Sequence, residues 1–135
     1  ETMSPYEIGV SGTYLDILNP ETVVSTTTQS EYVLSGVSNP GVVVSVYYYD
    51  GASDLHRLMY VDGAAASQII GSSGLFAQKI YLYEGSNYLL VRADSPAGGL
   101  PQISKLEIKL LVDSFWDSIK NAPMDIGQGM QAIFN

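Results

Sequence analysis

His56 is the only histidine in a chain without cysteine. Imidazole is the side chain best suited to move a proton or hold a metal near neutral pH. Asp54 is the carboxylate nearest to it in sequence. A nucleophilic triad also needs a hydroxyl and an orienting acid brought to one place. The sequence shows no Gly-x-Ser-x-Gly elbow, no Gly-Lys-Ser/Thr loop and no His-Glu-x-x-His pair. Without cysteine there is no thiol nucleophile, disulfide or thiolate zinc site. Asp50, Asp54 and Asp62 gather around two turns, and calcium takes several oxygen ligands. Their spacing differs from the helix-loop-helix calcium motif, and Asp-Gly is also the signature of a tight turn. His56 therefore reads as an ordinary strand or loop residue. No catalytic residue is nominated, and the reading calls for no cofactor and no metal.

The remaining chemistry is aromatic. Ten tyrosines are present, three of them consecutive in "GVVVSVYYYDG", residues 41–51. Such rings serve a sheet as packing, a partner protein as anchors, or a sugar as stacking platforms. Charge narrows the partners. Six basic residues stand against fourteen acidic ones, for a net charge of −8, and Arg57, Lys79, Arg92, Lys105, Lys109 and Lys120 are scattered. Nucleic acid and anionic membrane need clustered basic residues, so neither is expected as a partner. No apolar run approaches the roughly 20 residues of a membrane helix, so no membrane insertion is expected in this segment. The chain opens on Glu1 rather than Met and shows no signal peptide, and so reads as a processed or trimmed piece.

The elements that must hold these rings are strands. A length of 135 residues fits one domain. Residues 1–13 read as a Ser-, Gly- and Thr-rich lead-in. From 14 to 111 come short β-rich runs at roughly 14–18, 22–28, 30–37, 42–49, 55–61, 75–83, 87–94 and 102–111, as order-of-residue estimates from turn signals. Asn39-Pro40-Gly41, Asp50-Gly51, Asp62-Gly63, Glu84-Gly85 and Pro96 to Pro101 punctuate them. Side chains of a strand alternate faces. The inward set is therefore Val42, Val44, Val46 and Tyr48; then Phe76, Ile80 and Leu82; then Leu89, Val91 and Ala93; then Leu106, Ile108 and Leu110. Tyr32 and Leu34 join them. Tyr47 and Tyr49 point outward, and Ser45 marks their face as the wetter one.

Beyond Leu111 the period changes. Phe115, Trp116 and Ile119 share a helical face with Val112, with Asp113 as cap and Pro123 beyond the end. Ile126, Met130, Ile133 and Phe134 repeat the spacing, although Gly127 and Gly129 weaken a helix there. Residues 112–135 are expected to form an amphipathic helical tail.

The stretch from Glu31 to Lys109 resembles a bacterial immunoglobulin-like module of surface-layer, adhesin and extracellular glycosidase proteins. The likeness lies in "YVLSGVSNPGVVVSVYYYDG" at 32–51, "YVDG" at 60–63, "GLFAQKIYLYEGSNYLLVRADSPAG" at 74–98 and "SKLEIKL" at 104–110. "LDILNP" serves as the first strand, and residues 64–73 read as an insertion. The resemblance implies an all-β fold: an immunoglobulin-like β-sandwich over 14–111 with a short C-terminal helical tail. It further implies a non-enzymatic spacer, adhesion or binding module outside the cell or at its surface, beside neighbouring domains of a larger chain. No family catalytic residues carry over.

In such a sandwich 42–49 and 87–94 are neighbours, which places Tyr47, Tyr49, Tyr88 and Leu90 in one outward patch. An exposed apolar patch of that size calls for a cover. Three compete: a partner protein, a glycan, or the chain's own Phe115, Trp116 and Ile119. Ordering a short helix costs about 1–2 kcal/mol per residue, whereas each buried anchor returns about 1.5–3 kcal/mol. Three anchors alone do not order the tail. The expected function is adhesion or protein–protein contact through this face. The alternative is a carbohydrate-binding module using the same tyrosines.

Overall fold

The computed structural model describes residues 2–3 and 14–111, and among these there are strands and no helix. In chain order the strands are β1 Thr2–Met3, β2 Leu15–Asn19, β3 Val24–Thr27, β4 Glu31–Ser38, β5 Val43–Asp50, β6 Leu55–Leu58, β7 Tyr60–Val61, β8 Ala64–Ala65, β9 Ser67–Ile69, β10 Leu75–Tyr81, β11 Gly85–Asp94 and β12 Gln102–Leu110. The expected helical tail, with Phe115, Trp116 and Ile119, lies outside the described residues, as does the lead-in apart from β1.

The strands form a β-sandwich. The larger sheet runs β1-β6-β5-β11-β12-β3, with β9 also on β5. The smaller runs β10-β4-β2, and β7 and β8 make a separate hairpin. The alternation read from the sequence builds the interior. Val44, Val46, Leu89, Val91, Ala93 and Ile108 from the larger sheet are buried against Leu15, Leu34, Phe76 and Ile80 from the smaller. A sheet with one apolar row per strand has to bury that row against a second layer.

Long-range register is set by side chains as well as by the ladders. Gln102 at the start of β12 works as a surrogate backbone. Its Oε1 accepts from the amides of Tyr14 and Leu15, and its Nε2 donates to the Leu15 carbonyl at 2.8 Å. One side chain thus ties β2 of the smaller sheet to β12 of the larger. After a bulge between Ile17 and Asn19 and the cis Asn19–Pro20 bond, the chain crosses to the larger sheet, where β3 runs parallel to β12. The opposite side is closed by 55–70. Val46 accepts from the Met59 amide and donates to the Ala66 carbonyl, and Ala66 donates to Met59. β6 therefore follows the second half of β5, and β9 follows the first half. Between them the β7–β8 hairpin reaches toward β10. There Asp62 accepts from the Tyr81 hydroxyl and pairs with Lys79 at 3.2 Å.

Three expectations change. The run 55–61 divides into β6 and β7, because Asp62-Gly63 turns the chain into the hairpin. Residues 64–73, expected as an insertion, supply β8 and the edge strand β9. Tyr48 points inward but sits where the sandwich ends, and it stays 36% exposed.

Gly36 in β4 faces the backbone of β2. A Cβ there would stand 2.3 Å from the Asp16 carbonyl oxygen and 3.0 Å from Ile17 Cα. Gly36→Ala should therefore cost about 1–3 kcal/mol, the usual range for overpacking, and should lower the urea midpoint with no change in slope. Gln102→Ala should cost about 2 kcal/mol, since it strands three backbone groups of Tyr14 and Leu15. A midpoint unchanged within error in either variant would contradict these contacts.

Candidate contact surface

The outward residues of β5 and its neighbours sort into two regions. Tyr47 lies opposite Leu58 of β6 and Leu90 of β11. With Ile103 of β12, Tyr47 and Leu90 form a second apolar cluster on the side of the sheet away from the main core. They point outward as the alternation requires, but Tyr47 is 2% and Leu90 1% exposed. Neither offers an accessible contact. Ser45 on the same face is also buried, its hydroxyl 2.9 Å from that of Ser67 on β9, so this face is drier than its serine suggested.

Tyr49 and Tyr88 are the accessible members of the expected patch, Tyr88 at 52%. Tyr49 is held from two sides. Its hydroxyl donates to Asp54 Oδ1 at 2.6 Å, and its ring lies 5.3 Å from that of His56, tilted by 58°. The turn beneath it is fixed by Asp50, which accepts from the Ala52 amide, the Ser53 hydroxyl and Arg57 Nε at 2.7 Å. The Arg57 hydrogen bond, followed by those of Ser53 and Ala52, holds the Asp50 carboxyl below the usual carboxylate range. Asp54 takes a left-handed conformation that lets the chain return as β6.

The three aspartates singled out in the sequence do not converge. Asp50 binds Arg57, Asp54 binds Tyr49, and Asp62 binds Tyr81 and Lys79 on the other sheet. Among the described residues no group of three acidic or histidine side chains is placed to hold a metal.

Around Tyr49 and Tyr88 the surface is concave. A cleft of about 420 Å³ opens at the end of the sandwich, walled by Tyr48, Tyr49, Tyr60, Tyr83 and Tyr88. Tyr60 and Tyr83 stand 63% and 82% exposed on its rim. Neither was nominated from the sequence. Their convergence depends on the β7–β8 hairpin and the β10–β11 turn arriving at the same end as the β5–β6 turn. The only local signal was an aromatic beside a turn. Asn87 in this cleft is engaged in scaffolding: its amide nitrogen donates to the carbonyls of Tyr83 and Ile108, and its oxygen accepts from the Tyr83 amide. A shallower groove of about 330 Å³ continues onto the face of the sheet past Tyr49, His56, Tyr88 and Lys105.

No family model matches the sequence, and no curated protein matches it. Among solved structures the chain is similar to the crystal structure of AggA, the major subunit of aggregative adherence fimbriae type I from Escherichia coli. Identity is 15% over 78% of this chain and 98% of that one, with a TM-score of 0.35. A likeness at that level transfers no residue role.

His56 is buried in β6, and its Nδ1 has no hydrogen-bond partner among the described residues. Burial lowers its pKa, the nearby Lys105 charge lowers it further, and Asp54 opposes them. The unfolded chain, with an ordinary pKa of about 6.5, therefore takes up a proton that the folded chain resists. The His56 contribution to stability is complete above the unfolded pKa of about 6.5 and declines as pH falls below it toward the lowered folded pKa, at no more than about 1.4 kcal/mol per pH unit. Urea unfolding from pH 8 to 5.5 should show this decline in the native chain and a flatter profile in His56→Gln. Parallel profiles for the two would rule out a buried neutral imidazole.

Proposed function

We propose that this domain is a non-catalytic immunoglobulin-like contact module, used for adhesion or protein association outside the cell or at a bacterial cell surface. The strand order supports the immunoglobulin-like reading. The sheet β10-β4-β2 faces the sheet β12-β11-β5-β6, and after β2 the chain crosses over so that β3 runs parallel to the last strand, β12. One observation carries the functional reading: five tyrosines from four separate segments converge on one end of the sandwich and leave their rings accessible. Tyrosine is enriched at protein interfaces because it presents a large rigid surface with little side-chain entropy to lose. The polar groups beside the rings, Asp50 and Asn87, are committed to turns, which favours recognition by shape and ring contact over acid–base chemistry.

A glycan is the second reading, favoured by the concavity between the exposed Tyr60 and Tyr83 rims, which could receive a sugar ring. The two readings part on one pair of variants. Tyr60→Ala and Tyr83→Ala should leave the fold intact, because both rings are exposed. If the end contacts protein, each variant should weaken self-association or partner binding, measured by sedimentation and surface binding, by about tenfold or more, the effect of a hot-spot residue worth about 1.4–2 kcal/mol. If a glycan is the ligand, the native chain should bind on a glycan array and the variants should not. Unchanged protein contact together with no glycan binding would remove the tyrosine end from the function.

A further inference from the structure

We propose that β3 is an open sheet edge at which two copies of this chain pair antiparallel, with Val24 of one copy opposite Thr26 of the other. The remaining edges among the described residues are closed, and each closure shows what an edge here needs. On β2 the outward amide and carbonyl of Leu15 are both taken by the Gln102 side chain, and a bulge follows between Ile17 and Asn19. On β10 the carbonyls of Ala77 and Lys79 accept from Gln68 Nε2 at 2.9 Å and Gln78 Nε2 at 2.8 Å. β6 is covered by β1, which has only two residues, and β9 has three. Bulges, short strands and covered backbone groups keep a sheet edge from templating another chain.

β3 is guarded far less. The carbonyls of Val23 and Thr27 accept from the amides of Glu107 and Leu111. Backbone groups alternate sides along a strand, so those of Val24 and Thr26 face away from β12. Thr22 Oγ1 donates to the Val24 carbonyl at 2.8 Å, and a carbonyl keeps a second lone pair for another donor. The amide and carbonyl of Thr26 meet no strand among the described residues, because β3 ends the sheet. Val23 and Val24 stand 62% and 55% exposed beside them. The run "TVVSTTTQS", residues 22–30, holds no charge and no proline. An uncharged, β-branched run is the composition that accepts a further strand.

The occupant is a second copy because this edge is its own complement. A two-fold axis through Ser25 sets Val24 opposite Thr26 of the second copy. There the two residues exchange both backbone hydrogen bonds, and the axis repeats the exchange on its other side. The flanking charges select the same register. On β12, Glu107 lies beside Val24 and Lys109 beside Thr26. Each row across the seam therefore starts at Glu107 of one copy and ends at Lys109 of the other, about 14 Å apart by strand spacing, with two long side chains leaning inward. A two-fold axis through Thr26 would put Lys109 in one row with Lys109 instead, a like-charge pairing. Leu110 is opposite both Thr27 and Gly85, so the tyrosine cleft lies at the Thr27 end of β3. Antiparallel pairing thus points the clefts of the two copies in opposite directions. One strand pair buries less than the roughly 800 Å² per partner of a stable interface, and each copy carries a net charge of −8. The dimer is accordingly weak, with a Kd of about 0.1–1 mM.

Sedimentation equilibrium of the full chain, run up to a concentration near that Kd, should show a mass rising from monomer toward dimer. Thr26→Pro removes the outward amide at a position where an edge strand tolerates proline, and should raise the Kd by about tenfold or more, with circular dichroism establishing that the variant is folded. Tyr60→Ala should leave this self-association unchanged. A native chain that stays monomeric, or an association lost in Tyr60→Ala and kept in Thr26→Pro, overturns the proposal. A second measurement reads the register without disturbing the edge. The chain has no cysteine, so Val24→Cys and Thr26→Cys copies can be mixed and oxidised mildly. Directly opposed residues of such a pair have Cα atoms about 5.5 Å apart, within the roughly 4.4–6.8 Å that a disulfide spans. The mixture should form a disulfide dimer of one copy of each, and either variant alone should form at least about tenfold less, because two identical positions stand about 8 Å apart across the axis. No mixed dimer, or faster cross-linking by Thr26→Cys alone, overturns the proposal equally.

Discussion

Leu89, Leu90 and Val91 are consecutive on β11, point alternately to the two faces of the larger sheet, and are all buried. A strand buried on both faces is the constraint from which the rest of the domain follows. Its inner row meets Leu34, Phe76 and Ile80 of the opposite sheet, and its outer row meets Tyr47 and Ile103. Because side chains alternate with a period of two, a slip of one residue against β5 or β12 would exchange the two rows. β11 is also laddered along both edges, with nine register pairs to β12 and six to β5. Both faces and both edges therefore specify one alignment.

The sides of the sandwich are closed by polar side chains that replace absent backbone partners. Gln102 joins β2 to β12 on one side. On the other, Gln68 of β9 donates to the Ala77 carbonyl of β10, and Asp62 joins the hairpin to Lys79 and Tyr81. Buried backbone amides have to find partners, and a side-chain amide carries the same donor and acceptor pair. The Asp62 pair with Lys79 is surface-exposed, and such pairs contribute little stability. Its role is to fix where the hairpin lands. That position puts Tyr60 at the same end as Tyr83 and Tyr88.

The candidate contact surface follows from what the sandwich cannot cover. Interior rows are buried by the opposing sheet, but at the end of the stack an inward-pointing Tyr48 finds only partial shelter, and aromatic residues beside the turns extend past the last ladder bonds. The ends of β-sandwiches are where loops from distant parts of the chain meet. Here those loops bring rings rather than titrating groups. The buried imidazole of His56 stands beside Tyr49, and its Nδ1 has no hydrogen-bond partner among the described residues.

The sequence by itself determined the strand class, the inner rows and most turns. Alternation in 88–93 and 105–110 and the turns at 39–41, 50–51, 62–63 and 84–85 are local properties, set by side-chain period and backbone sterics within a few residues. It also determined that Tyr47 and Tyr49 leave the sheet on the side opposite Val46. Only the tertiary structure decided that Tyr47 and Leu90 are inaccessible while Tyr49 and Tyr88 are open, that 55–70 divides its pairing between two halves of β5, and that Tyr60 and Tyr83 share a cleft with Tyr88. Exposure depends on what crosses a face from elsewhere in the chain. Convergence depends on where separate turns land. Neither is encoded in the period of any one strand.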